Sequence, residues 1–177
     1  MLFCNDYFSP IGKMTIASNE NAIVGLWFYG QRYFMNTLQG KEYVKSENEV
    51  IILAKKWLDK YFNNEKPEIK DLPIEFSGTD FRIAVWNILT EIPYGEVITY
   101  GDIAKRIAKL KAVEVMSSQA VGGAVGHNPV SVIVPCHRVI GANRRLTGYA
   151  GGIEIKRKLL EHEGIDISIL HLIPINE

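Results

Sequence analysis

The sequence predicts two domains in series: an α/β unit over residues 1–78, with an antiparallel sheet and one helix, then a mainly helical unit over residues 79–177. Three observations predict it. Two apolar runs flank a short polar turn near the N-terminus, one long amphipathic stripe follows, and beyond Gly78 the pattern changes to short helical stretches with capping residues. A chain of 177 residues can form one domain or two small ones and still bury a core.

Lys13 to Ser18 and Ala22 to Phe28 flank Asn19-Glu20-Asn21, a hairpin signal. From about Glu47 to Asn63, the residues Val50, Leu53, Ala54, Trp57, Leu58, Tyr61 and Phe62 recur at steps of three and four, which draws one face of a helix. The polar stretch from Asn63 to Pro73 is broken by Pro67 and Pro73, so it reads as a loop and boundary, with Ile74-Glu75-Phe76 as one more candidate strand. Thr79 or Asp80 can cap a helix carrying Phe81, Val85, Trp86, Leu89 and Ile92, stopped by Pro93-Tyr94-Gly95. Thr99 precedes a second helix with Ile103, Ala104 and Ile107, and Ser117 and Ser118 can cap a third that ends near Gly126. An extended apolar segment, Val130 to Val134, leads into Pro135-Cys136-His137, and Glu154 to Glu163 makes a last helix. Trp27, Trp57 and Trp86 sit on apolar stripes and are expected in cores.

Composition narrows the function classes. A hydrophobic fraction of 47% and a charged fraction of 23% are those of an ordinary globular protein. No apolar run approaches the roughly 20 residues that span a bilayer, and the N-terminus lacks a basic segment followed by an apolar one. The expected location is the cytoplasm, with no membrane partner. Cys4 and Cys136 form no C-x-x-C pair, and His127, His137, His162 and His171 form no H-x-x-x-H pair, so neither a metal nor a cofactor is expected. Twenty basic residues balance twenty acidic ones, with a modest positive bias between residues 81 and 164 that permits phosphate binding without demanding it.

Chemistry concentrates in the second half. The two short helices after Thr99 and Ser117 are a candidate helix-turn-helix, set against the commoner reading of an ordinary helical pair. Ser117-Ser118-Gln119-Ala120-Val121-Gly122-Gly123-Ala124-Val125-Gly126 is poor in helix formers and nearly free of bulk, which suits a helix that another surface must approach closely. Cys136 follows a proline and adjoins His137 and Arg138. A buried structural cysteine is the plain alternative. Against it, Pro135 fixes the backbone entering Cys136, and cationic or proton-accepting neighbours favour the thiolate. Glu163, at the end of the last helix, is available to hold a histidine in one tautomer.

Pro135-Cys136-His137-Arg138-Val139-Ile140 resembles the active-site signature of the O6-alkylguanine-DNA alkyltransferases. The resemblance extends to Gly95-Glu96-Val97-Ile98-Thr99-Tyr100, Ala120-Val121-Gly122-Gly123-Ala124, Asn128-Pro129-Val130, Gly148-Tyr149-Ala150-Gly151-Gly152, and Lys156, Leu159, Leu160 with His162-Glu163-Gly164. Order and spacing agree over about residues 80–164, whereas the N-terminal half is similar only in length and β-then-α order. The resemblance implies a ribonuclease-H-like N-terminal domain and a winged-helix-like C-terminal one, working as a monomer on double-stranded DNA. It implies an irreversible, single-turnover transfer of the alkyl group of O6-alkylguanine, and of O4-alkylthymine, to Cys136 after the nucleotide is flipped out. His137 then takes the thiol proton through water, Glu163 orients the imidazole, and Asn128 braces the turn. Tyr100 helps rotate the nucleotide and donates a proton to the departing base. Tyr149 walls the pocket, while the Val139 carbonyl and the Ala150 N–H read the base. Lys156 matches a lysine near the pocket, the alternative being a solvated helix charge. Ser117, Ser118, Gln119, Ala120, Gly122 and Gly123 face the minor groove; Arg138 is grouped with these DNA-binding residues, with a loop-holding role as the alternative.

Three readings compete: a damage-binding relative that does not transfer the group, a cysteine hydrolase or acyltransferase, and a DNA-binding regulator. The chain also departs from the family pattern. Gln119 stands where many members have the arginine that fills the gap left by the flipped base, the segment between Tyr100 and Gln119 is long, and Asn143-Arg144-Arg145 replaces a usual Asn-Gly turn. Glutamine lacks the planar cation that stacks and pairs with the orphan base. Replacing it, Gln119→Arg, is therefore expected to raise repair rate or DNA affinity; a single-turnover assay with no gain in either contradicts this.

Overall fold

The computed structural model describes residues 1–172, so the last five residues of the expected second domain lie outside the described residues. The chain forms two compact units. One comprises residues 1–78 together with 129–134, the other residues 79–128 and the chain from Pro135 onward.

In the first unit, β1 (Phe3–Ser9), β2 (Gly12–Ser18) and β3 (Ile23–Phe28) form an antiparallel meander, with the hairpin where the sequence predicts it. The short β4 (Val44–Lys45) adds to the other side of β1 in parallel, giving the order β3-β2-β1-β4. The sheet is thus mixed rather than purely antiparallel. Helix α1 (Glu49–Phe62) is capped by Asn48, whose side chain accepts from the Ile51 N–H. It buries Val50, Ile51, Ala54, Trp57, Leu58 and Tyr61. Leu53, expected on that stripe, is instead 41% exposed. Ile74 makes only an isolated bridge to Ile23, not a strand.

The apolar segment 130–134 also differs from its expected extended form. Leu26 of β3 accepts from the Ser131 N–H and donates to the Pro129 carbonyl, and residues 131–133 then turn. Val132 takes φ 69°, a costly conformation for a β-branched residue, while its side chain is fully buried. The backbone bonds to Leu26 and the burial of Val130 to Val134 go with the segment's place in the first unit.

The second unit is helical. Thr79 caps α2 (Asp80–Thr90), which buries Val85, Trp86, Ile88 and Leu89. A two-residue strand β5 (Ile98–Thr99) leads into α3 (Tyr100–Leu110), where Thr99 and Asp102 form a reciprocal capping box. Ser117 caps α4 (Ser118–Gly126) by accepting from the Ala120 N–H. Trp86 donates from its indole to the Ala124 carbonyl at 2.9 Å, fixing α2 to α4. A single 3-10 turn, Cys136–Arg138, precedes β6 (Val139–Ile140), which pairs in parallel with β5. β7 (Arg145–Leu146) pairs with β8 (His171–Leu172), and α5 (Ile153–His162) ends on Glu163. All three tryptophans are buried.

Between β6 and β7, Asn143 and Arg144 both adopt left-handed backbone angles, φ 55° and 57°. Asparagine tolerates this conformation; for arginine it costs of the order of 1 kcal/mol. Arg144→Gly is expected to stabilise the protein by about 0.5–1 kcal/mol. Thermal denaturation showing a melting temperature raised by about 1–4 °C would agree, and a lowered one would contradict it.

Candidate active site

Several elements of the second unit bring the site together: the turn after α2, the start of α3, the turn after α4, the 3-10 turn at Cys136 with β6, the loop before α5, and α5 with its end. The network begins at Glu163, whose side chain has no solvent exposure. Its Oε1 accepts from His137 Nε2 at 2.6 Å and from an Arg138 terminal nitrogen at 3.0 Å. Its Oε2 accepts from Arg138 Nε at 2.8 Å and from the Gly95 N–H at 3.1 Å. The third guanidinium nitrogen of Arg138 donates to the Ile92 carbonyl at 2.5 Å, and the group lies 5.6 Å from the Tyr94 ring centroid. Gly95 has φ 77°, and a Cβ there would stand 3.2 Å from the Glu163 carbonyl oxygen. Glycine is needed at that point both for its conformation and for the close approach.

Burial pushes the Glu163 carboxyl up, but the permanent charge of Arg138 and the hydrogen bonds from Arg138 and His137 outweigh it and hold the carboxyl well below the usual glutamate range. We assign the ionised form because the guanidinium is permanently charged. An ionised carboxylate only accepts, so the proton on the facing ring nitrogen of His137 must sit on Nε2. Burial lowers the imidazole pKa, the hydrogen bond and charge of Glu163 oppose it, and Arg138 and Lys156 add to the lowering. The ring is therefore neutral at rest. Its Nδ1, carrying a lone pair, is buried and meets no hydrogen-bond partner among the described residues.

Cys136 is 4% exposed. Its thiol is pushed up by burial, against the hydrogen bond of the Asn128 side chain, the charge of Lys156 and the hydrogen bond of Tyr149. The expectation that neighbouring cations hold it as thiolate is thus corrected: desolvation wins, and the resting sulfur is protonated. Lys156 is fully buried, not solvated. Its ammonium donates to the Val139 carbonyl at 2.6 Å, and burial lowers its pKa to about 8 despite the pull of Cys136. Tyr100, at the start of α3, is half-buried; its phenol is raised by burial and opposed by a hydrogen bond from Thr147, and a thiolate at Cys136 would raise it further. Tyr149 and Ala150 lie half-buried in the turn that a Gly152 N–H to Tyr149 carbonyl bond closes ahead of α5.

The structure therefore gathers Cys136, Asn128, Tyr149, Val139, Lys156, His137, Glu163 and Tyr100 around one centre. It does not place Arg138 with the outward-facing residues. That guanidinium is buried and occupied by Glu163 and the Ile92 carbonyl, so its assignment to DNA contact is corrected to a structural one. Ser117, Ser118, Gln119, Ala120 and Gly123 form an exposed face of α4, with Gly122 half-buried beside the Tyr100 ring. Sequence reasoning gave no role to Ile92, Gly95 or Thr147. Only Gly95 left a signal, as the glycine of a Pro-Tyr-Gly stop. Among the described residues, no group of three or more His, Cys, Asp or Glu side chains is placed to hold a metal ion.

Residues 80–165 match the family model described as 6-O-methylguanine DNA methyltransferase, DNA binding domain, and residues 2–76 match its ribonuclease-like domain. The chain belongs to the 6-O-methylguanine DNA methyltransferase family. It is 42% identical over 164 residues to the methylated-DNA–protein-cysteine methyltransferase of Haemophilus influenzae, covering 93% of this chain and 87% of that protein. The Methanosarcina acetivorans protein of the same name is 43% identical over 162 residues, with 88% and 94% covered. Among solved structures, Mycobacterium tuberculosis O6-methylguanine methyltransferase aligns with a TM-score of 0.76 at 39% identity, covering 92% of this chain and 93% of that one. OGT of the same organism in complex with DNA gives 0.78 at 39% identity, with 95% and 94% covered.

Removing the guanidinium leaves a buried carboxylate without its charge partner. Arg138→Met is expected to cost about 3–5 kcal/mol at pH 7. Because the Glu163 pKa is depressed when folded, its stabilisation is full above the ordinary glutamate range and is lost as pH falls through the folded value. In the variant, burial without the guanidinium raises the Glu163 carboxyl instead, so that carboxyl takes up a proton first and the deficit should shrink in urea denaturation as pH falls toward and below 4. A deficit independent of pH would contradict the ionised assignment.

Proposed function

We propose that the protein repairs DNA by moving the alkyl group of O6-alkylguanine, and of O4-alkylthymine, irreversibly onto Cys136. The observation that carries this reading is the buried Cys136 sulfur beside Asn128, Tyr149 and Lys156, next to a His137 whose Nε2 is held by Glu163 at 2.6 Å, in a chain of this family. The thiol proton passes through a water to His137 Nδ1, and the charge left on the imidazolium faces the Glu163 carboxylate. Sulfur attacks the alkyl carbon, so a C–S bond forms as the C–O bond breaks. The Tyr100 hydroxyl supplies a proton to the departing base, and the tyrosinate takes one back from solvent once the base has left, as the His137 imidazolium gives one up. A thioether has no easy hydrolytic exit, so each molecule acts once.

The reacting oxygen lies on the major-groove edge of a paired, stacked base, out of reach of a protein seated in the minor groove, so the nucleotide is flipped out, at a cost of a few kcal/mol. The exposed face of α4 supports approach from the minor groove. A Cβ at Gly123 would meet no protein atom within 4 Å, so the fold itself does not require glycine there. A closely approaching duplex does. The Val139 carbonyl keeps a second lone pair beside Lys156 with which to read the base, and the Ala150 N–H is the complementary donor. We read the two domains as a ribonuclease-H-like support and a winged-helix-like reader, acting as a monomer in the cytoplasm. The family's chemistry, and a cysteine held ready for it, favour transfer over damage binding alone, hydrolysis or regulation.

Incubation with a duplex carrying labelled O6-methylguanine should move one equivalent of label, and no more, to the protein. Cys136→Ala should abolish the transfer. Repeated turnover, or label retained on DNA with the natural protein, overturns the reading. Gly123→Leu should keep or raise stability, since leucine is the better helix former by about 0.8 kcal/mol, while weakening duplex binding about tenfold or more. Unchanged affinity would contradict the close approach of α4.

A further inference from the structure

We infer that Thr147 is a positioning residue for the transfer: its hydroxyl fixes the direction in which the Tyr100 hydroxyl offers its proton. The inference rests on the proposed role of Tyr100 and adds a residue to which nothing above gives a part. Thr147 Oγ1 donates to the Tyr100 hydroxyl oxygen at 3.1 Å. No other hydrogen-bond partner of that hydroxyl is seen among the described residues. A tyrosine hydroxyl has one proton and can also accept. With its oxygen accepting from Thr147, its own proton must point elsewhere, and an extruded base at Cys136 is the acceptor it meets.

Local packing sets the threonine rotamer. A β-branched side chain has few χ1 choices, and here the methyl is wedged beside Gly141. A Cβ at Gly141 would stand 2.9 Å from the Thr147 methyl carbon and 3.2 Å from Arg145 Cβ. Gly141 also donates its N–H to the Arg145 carbonyl at 2.8 Å, closing the hairpin that carries Thr147. With the methyl seated there, the hydroxyl is left facing Tyr100. The Tyr100 ring rests on its other side against α4, where a Cβ at Gly122 would lie 3.8 Å from two ring carbons. The Thr147 hydrogen bond also eases the phenol back toward its ordinary pKa against burial, which makes it a better proton donor.

Four proteins test this: Thr147→Val, which exchanges the hydroxyl for a methyl, Thr147→Ser, which keeps it, Tyr100→Phe, and the double variant Tyr100→Phe with Thr147→Val. The readouts are the transfer rate at saturating O6-methylguanine duplex and the Kd for undamaged duplex, with melting temperatures to confirm folding. Thr147→Val should slow transfer about tenfold, a share of the hundredfold or more typical of general acid catalysis, with Kd unchanged. Thr147→Ser should restore the rate, and Thr147→Val should add nothing in the Tyr100→Phe background. A Thr147→Val protein at the natural rate overturns the inference. So does an equal loss in both backgrounds, or a loss explained wholly by Kd. Failure of the natural protein to accept the alkyl group would instead overturn the proposed function, so the two failures are distinguishable.

Discussion

A carboxylate buried without access to water is the constraint on which the rest of the second unit depends. Glu163 is tolerable there only because four donors reach its two oxygens, two of them from a permanent cation. Those donors come from the Pro-Tyr-Gly turn after α2 and from the 3-10 turn at Cys136, while Glu163 itself ends α5. Satisfying one charge thus fixes three separate parts of the chain. The site is rigid for that reason, and the tautomer of His137 follows from it without any further assumption.

Protonation states then divide the work. The sulfur is kept as a thiol by burial even with Lys156 nearby, which protects it from adventitious oxidation and alkylation, since thiolate is the reactive form. His137 is kept neutral, with its lone pair on the side away from Glu163. In the proposed mechanism, activation therefore waits for a substrate that can accept displaced charge, rather than relying on a sulfur already anionic. Lys156, anchored on the Val139 carbonyl, supplies positive potential without a proton path of its own among the described contacts.

Much of this was legible in the sequence where the signal is local. The hairpin before Phe28, the caps at Thr79, Thr99 and Ser117, and the small-residue character of α4 are written in adjacent residues. β1 was not legible, because Asn5 and Asp6 interrupt its apolar alternation; Asn5 instead accepts from Lys55 of α1 and Asp6 from Thr15 of β2. Residues 130–134 read as a strand by composition, but their pairing with Leu26 and the left-handed Val132 are long-range consequences. Arg138 misled for a similar reason. An arginine beside a reactive cysteine looks like a surface group until Glu163, 25 residues on, is seen to occupy it. The chemical class was legible from the motif, whereas the protonation states needed burial, which no sequence pattern displays.

The account turns on where one proton sits. Long-range ¹H–¹⁵N correlation of the His137 ring in the unalkylated protein at pH 7 reads it directly. The account predicts a neutral imidazole with its proton on Nε2 and an unprotonated Nδ1. A doubly protonated ring, or a proton on Nδ1 with Nε2 bare, would contradict it.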